Sequence, residues 1–183
     1  FGIGLSSLAG ALMALVTNFA PNPFYLSDMI TWMLGSVANR SLLDIALVLP
    51  FMLAGLLLLL SQRKGLTLLS LGEDTASTLG LSLTTTRICV VLGAGLATGA
   101  AVSLAGVIGF VGIVTPHLVR PLVNYEPGKT IIPSAVLGGV FLVLIDIGVR
   151  IISTNVELKI GVLAALVGAP IFIWIASKSG RHE

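Results

Sequence analysis

Few side chains in this sequence could do chemistry, and each lacks the company that chemistry needs. His117 is a candidate metal ligand, but a metal site takes several converging ligands. No second histidine, cysteine or carboxylate lies at helical spacing from it, and His182 stands at the far end of the chain. A structural role beside Pro116 near a helix end outweighs the metal reading, and no metal or cofactor is expected. Cys89, the single cysteine, excludes a disulfide framework and a cysteine-based metal site. Asp146 invites a proton-coupling reading, since carboxylates inside a membrane are functional by default. Arg150, one helical turn away at roughly 6 Å of rise, offers it an ion pair on its own helix instead. The G-x-x-x-x-G-K-S/T loop of nucleotide-binding proteins is missing, so no nucleotide chemistry and no catalytic residue is expected in this chain.

The elements that must position these groups follow from composition. The chain has 183 residues, 56% hydrophobic and 10% charged, with a mean hydropathy of +1.07. A soluble domain carries about 25% charged residues, and a disordered one needs low hydrophobicity. An all-α polytopic membrane protein remains, with no nucleic-acid partner. A membrane-crossing helix takes about 20 mostly apolar residues, and five runs lack Asp, Glu, Lys and Arg: 1–27, 45–62, 88–119, 130–145 and 160–177. Spans are predicted over roughly 1–20, closed by Pro21-Asn22-Pro23, and over about 43–61, 131–150 and 159–177. The sequence starts at Phe1 without a methionine or a polar flank, so the expectation is the C-terminal part of a longer chain, with no signal peptide to be sought.

The run 88–119, 32 residues long, is too long for one helix and short for two. Gly106, Gly109, Gly112 and Pro116 interrupt its second half and favour a helix over 88–105 followed by a short broken one over about 108–123. Charge agrees, because cytoplasmic loops are enriched in Lys and Arg. With two spans, seven cations (Arg63, Lys64, Arg87, Arg120, Lys129, Lys178, Arg181) share one side and three (Arg40, Arg150, Lys159) the other; with one span the division is five to five. Six spans with the C-terminus inside are therefore predicted. Gly93, Gly95 and Gly99, among alanines, mark 88–105 as a central helix of a tight bundle.

Between the second and third spans, Gln62 to Arg87 is far longer than a hairpin connection. Ser70-Leu71-Gly72-Glu73 fits a capping box, with Glu73 and Asp74 in a first turn that favours negative charge. Leu71, Thr75 and Leu79 share a face flanked by Ala76, and Gly80 is placed to end the helix in a left-handed conformation. Ser82 can cap a second short helix through Thr84–Thr86 into Arg87. Two readings stand: an interfacial pair of helices resting on lipid, or a docking element for a cytoplasmic partner.

Five motifs in order resemble the FecCD-type permeases of bacterial ABC importers, which move ferric siderophores, haem or vitamin B12. Trp32-Met33-Leu34-Gly35-Ser36 resembles the family's Trp-x-x-Gly-Ser, and Leu71-Gly72-Glu73 through Ala76 to Leu79-Gly80 resembles its L-G-E-x-x-A-x-x-L-G coupling segment. Gly109-Phe110-Val111-Gly112 through Pro116-His117 to Arg120 resembles its G-F-V-G-x-x-x-P-H-x-x-R signature. Asp146-x-x-x-Arg150 and Gly161 through Gly168-Ala169-Pro170-Ile171-Phe172 resemble its closing motifs. Thr115 stands where the family usually has Val, and Asn124-Tyr125-Glu126 replaces Gly-x-Asp.

The resemblance implies a single permease domain over 1–183 with a coupling segment at 68–87, in the bacterial cytoplasmic (inner) membrane and in contact with its lipid. Of the family's ten helices, this chain would hold the fifth to the tenth. Implied partners are cytoplasmic ATP-binding subunits, a periplasmic or lipid-anchored substrate-binding protein, and a second permease subunit, identical or different. Glu73, Asp74, Ala76, Leu79 and Gly80 would enter a groove of the ATPase. Arg150, outermost with Lys159 and Arg40, would pair with glutamates of the binding protein, or else with Asp146. Ser6, Trp32, Gly35 and Ser36 would belong to the pathway and its outer gate, although Ser and Thr equally serve as interhelical hydrogen bonders. The competing readings are an ion-coupled secondary transporter, which wants buried carboxylates and an internal repeat, and a truncated fragment that does not transport. The predicted sidedness is open to test: Lys129→Cys should resist an impermeant thiol reagent in intact cells and react once the membrane is opened, and labelling from outside would overturn it.

Overall fold

The computed structural model describes residues 2–19, 23–152 and 158–179. Its helices are α1 (Gly2–Asn18), α2 (Pro23–Leu34), α3 (Leu42–Ser61), α4 (Arg63–Leu69), α5 (Glu73–Thr78), α6 (Leu83–Ala105), α7 (Val111–Val119), α8 (Pro127–Ile152) and α9 (Ile160–Ser179), with a 3-10 turn at Arg120–Val123. Three of them, α3, α6 and α8, are long and apolar enough to cross a membrane; Gly2–Asn18, Val111–Val123 and Ile160–Ile175 are shorter apolar segments. The run 88–119 does divide, as its glycines require: α6 stops at Gly106 (φ +72) and α7 begins after Phe110.

Local sequence explains the start of α3. Ser41 Oγ accepts from the Asp44 N–H (3.2 Å) while the Asp44 carboxylate accepts from the Ser41 N–H (2.9 Å), a reciprocal capping box. Helices α3 and α6 then pack as an antiparallel pair whose backbones nearly touch. A Cβ on Gly55 would lie 2.6 Å from the Ala97 nitrogen and the Gly93 carbonyl oxygen, so only glycine fits. By contrast, nothing stands within 4 Å of a Cβ placed on Gly95 or Gly99. Among the described residues α6 lies mainly along α3, and two of its three singled-out glycines have no neighbour close to a built Cβ.

A second layer joins α7, α8 and α9. Ile145 and Val149 of α8 with Ile160 and Ala164 of α9 form a buried cluster, flanked by Ile108, Phe141 and Leu163. Helix α8 starts beside α4, where Gly128 lies so close to the Arg63 carbonyl that no side chain fits. The two layers meet at the Arg150 end through close main-chain contacts. The Trp32 carbonyl accepts from the Val107 N–H (3.1 Å), the Ala105 carbonyl from the Ser36 N–H (2.7 Å) and the Gly35 carbonyl from the Gly161 N–H (3.5 Å). A Cβ on Gly106 would collide with the Trp32 oxygen, and one on Gly161 with the Leu34 oxygen.

Large apolar side chains remain uncovered along α1, which buries no residue (Ile3 is 87% exposed), and along the outer faces of α3, α6 and α8. Overpacking a tight contact costs about 1–3 kcal/mol, whereas alanine replacing an uncrowded helical glycine gains about 0.8–1 kcal/mol. Gly161→Ala should therefore lower the thermal midpoint of the detergent-solubilised protein, and Gly99→Ala should leave it unchanged or raise it. Equal effects would refute this division of the glycines.

Candidate functional site

The segment α4–α5 is built as a small platform on the ends of longer helices. Gly72 (φ +99) turns the chain into α5, and Ala76, fully buried, seats α5 on the structure beneath it. At its far end the Gly80 N–H donates to the Ser77 carbonyl and the Leu81 N–H to the Ala76 carbonyl, both at 3.0 Å, with Gly80 at φ +84. That is the glycine-terminated motif expected from the sequence. Leu71 and Leu79 stay about 60% exposed, so the platform presents an apolar edge to its surroundings.

Two local expectations fail. The cap of α5 is Gly72 without a side-chain bond, because Ser70 closes α4 and donates its hydroxyl to the Thr67 carbonyl (2.7 Å). Nor is there a second short helix. Residues 83–87 are the first turn and a half of α6, and the Ser82 hydroxyl pairs with the Thr85 hydroxyl (2.8 Å) rather than with backbone. Glu73 reaches forward to Arg87 (2.5 Å), joining α5 to α6 across 14 residues. Sequence reasoning missed this pair because helical spacing carries no signal at that separation. The Asp74 carboxylate has no bonding partner among the described residues. Below, Gly65 sits against Thr86, and Thr67 Oγ1 accepts from the Gly128 N–H (3.3 Å), tying α4 to α6 and α8.

The signature segment owes its shape to one strained residue. Phe110 has φ +66 and ψ −33, and the Gly109 carbonyl accepts from the Val111 N–H (2.8 Å) across it. This is a γ-turn of the rarer, strained hand. The Phe110 side chain lies against Gly168, where a Cβ would sit 2.6 Å from its own. Val114, Thr115 and Val119 are buried, and Thr115 returns its hydroxyl to the Val111 carbonyl (2.8 Å). His117 is held by the Ile113 carbonyl (Nδ1 at 3.0 Å) and meets Phe172 edge-on at 6.2 Å between ring centres. Among the described residues no three metal-ligating side chains converge. Arg120 opens the 3-10 turn with its side chain exposed. Gly109 and Gly112 have nothing within 4 Å of a built Cβ, and no contact in this chain explains them.

At the opposite end Arg150 donates from Nε to Asp146 (2.8 Å), with the arginine 72% exposed and the aspartate 28%. Ser36, Asn39, Lys159 and this pair line an open pocket of about 390 Å³. Trp32 and Gly35 adjoin it through the backbone clasp. Ser6 is not brought to them, for its hydroxyl donates to the Gly2 carbonyl of its own helix (3.0 Å). A further pocket of about 580 Å³ lies where Met13 and Thr17 of α1 meet Met33 of α2.

The sequence matches the FecCD transport family over residues 1–178. It is 37% identical over 180 residues to the ABC transporter permease protein YvrB of Bacillus subtilis (strain 168), covering 98% of this chain and 50% of that one. It is 36% identical over 185 residues to the vitamin B12 import system permease protein BtuC of Salmonella typhi, covering 98% and 55%. The iron-uptake system permease protein FeuB of Bacillus subtilis (strain 168) is 36% identical over 156 residues, covering 85% and 47%. The chain thus spans about half the length of these relatives. Among solved structures it is similar to an inward-facing conformation of a metal-chelate type ABC transporter, with a TM-score of 0.89 and 31% identity over 97% of this chain and 57% of that one. Family match, sequence relatives and shared backbone agree over nearly every residue, and the chain belongs to the FecCD transport family.

Proposed function

We infer that this chain is the C-terminal transmembrane part of the permease of a bacterial ABC importer, taking a ferric siderophore, haem or cobalamin-type substrate across the cytoplasmic membrane. Three long and three shorter apolar segments support six passes. The antiparallel packing supports the sidedness. It gathers Arg63, Lys64, Arg87, Arg120 and Lys129 at one end and leaves Arg40, Arg150 and Lys159 at the other. Lys178, whose side chain is not described, belongs with the first group by sequence, and Arg181 lies outside the described residues.

The observation that carries the mechanism is α5: a short exposed helix, anchored by Ala76, with Leu79 and Asp74 free to meet a partner. An ATP-binding subunit that grips this edge pulls on α6 through the Glu73–Arg87 pair and on α8 through Thr67 and Gly128. Closure of the ATPase then reaches two long helices without chemistry in the permease. At the other end, Arg150 is held by Asp146 yet largely exposed, so it can offer its remaining donors to carboxylates of a substrate-binding protein. A second permease subunit and lipid are the natural cover for the bare apolar faces. The secondary-transporter reading finds no support in Asp146, which stands at a helix end in an ion pair.

Leu79→Asp and Gly80→Trp test the coupling. Loss of an interface anchor costs about 2 kcal/mol or more, so transport in the full assembly should fall roughly tenfold or further with the protein still present in the membrane. Unchanged uptake and unchanged ATPase stimulation would sink the assignment. Arg150→Glu should weaken capture of the binding protein most at low ionic strength, since exposed charge pairs are screened by salt; an unaltered affinity at every salt concentration would refute it.

A further inference from the structure

A pocket of about 540 Å³ lies between α4 and α8, lined by Arg63, Lys64, Thr67, Leu68, Glu126 and Gly128. It shares Thr67 and Gly128 with the coupling path given above, but Arg63, Lys64 and Glu126 have no role there. Two of its walls are cationic, and neither Arg63 nor Lys64 has a carboxylate partner among the described residues, whereas Arg87 and Lys129 are both paired. The one acidic wall, Glu126, is neutralised by Lys129 at 2.7 Å. Thr67 is occupied by the Arg63 carbonyl and the Gly128 N–H, so the walls are tied to one another.

Position selects the ligand. Arg63 and Lys64 follow directly on α3, a 20-residue apolar helix whose Leu53 and Leu57 are exposed, so the cations stand where hydrocarbon gives way to headgroups. Half-buried Leu68 adds an apolar wall. We propose that this pocket holds the phosphate of an anionic phospholipid of the cytoplasmic leaflet, with its acyl chains along α3. Basic pockets between membrane helices on the cytoplasmic side recognise such headgroups. A neutral zwitterionic lipid carries its own ammonium group and gains less from two unpaired cations. By holding α4 against α8, a bound lipid would stiffen the platform that carries α5.

The proposal rests on the membrane orientation given above, which Lys129→Cys labelling checks independently. The direct experiment uses the purified full-length permease in detergent and titrates dioleoyl-phosphatidylglycerol, dioleoyl-phosphatidylcholine and inorganic phosphate, reading bound lipid by native mass spectrometry and the thermal midpoint in parallel. Phosphatidylglycerol should bind and protect more than phosphatidylcholine. R63Q with K64Q should weaken it roughly tenfold or more, each cation near an anionic headgroup contributing a comparable factor. Arg40→Gln at the opposite end is the control and should leave that binding unchanged. Equal binding of the two lipids, or a preference that survives R63Q with K64Q, overturns the proposal. Equal protection by inorganic phosphate overturns the lipid assignment in favour of a free-anion site. Should the double variant fail to fold, R63K with K64R keeps the charge and should retain the preference; its loss there would likewise count against the site.

Discussion

In hydrocarbon there is no water to satisfy a peptide group, so a chain that interrupts its helices inside a membrane must find every freed N–H and C=O a partner in protein. This chain interrupts itself at 35–41 and again at 106–110, and the two breaks answer each other. The carbonyls of Trp32, Ala105 and Gly35 accept from Val107, Ser36 and Gly161, which ties α2, α6 and α9 together by main-chain bonds. Such approach is open only to residues without a side chain, and Gly35, Gly106 and Gly161 are all at the clasp. Without the clasp, the carbonyls of Trp32, Gly35 and Ala105 would lose these partners.

Much else hangs from it. With α6 stopped at Gly106, the chain can turn through strained Phe110 and start α7 as a separate element, and Gly168 leaves room for the Phe110 side chain. Strain of this kind persists only where its surroundings over-determine it, and the burial of Val114 and Thr115 on the next turn does so. At the other end Gly128 meets the Arg63 carbonyl and Gly65 meets the Thr86 side chain, so the platform bearing α5 rests on two long helices rather than hanging as a loop.

The features legible beforehand were those written in a short window or in gross composition. The apolar runs located the helices, Gly80 announced a left-handed stop, and Asp146 and Arg150 at a spacing of four declared their pairing. What escaped was non-local or depended on a choice between equivalents. Ser41 and Ser70 each precede an acidic residue by three, yet only Ser41 caps a helix, because Ser70 is still engaged in closing α4. Glu73 and Arg87 meet only because the chain between them doubles back.

By itself the sequence determined that this is a membrane protein of helices and which family's motifs it carries, because hydropathy and short motifs are properties of the chain read in order. The tertiary structure decided which glycines matter. All 21 look alike in the sequence, and the cluster in α6 drew notice by its density, yet Gly95 and Gly99 face open space while Gly55, Gly106, Gly128 and Gly161 stand against another segment's backbone. A glycine's role is defined by what approaches it, and in this protein that neighbour comes from a distant part of the chain.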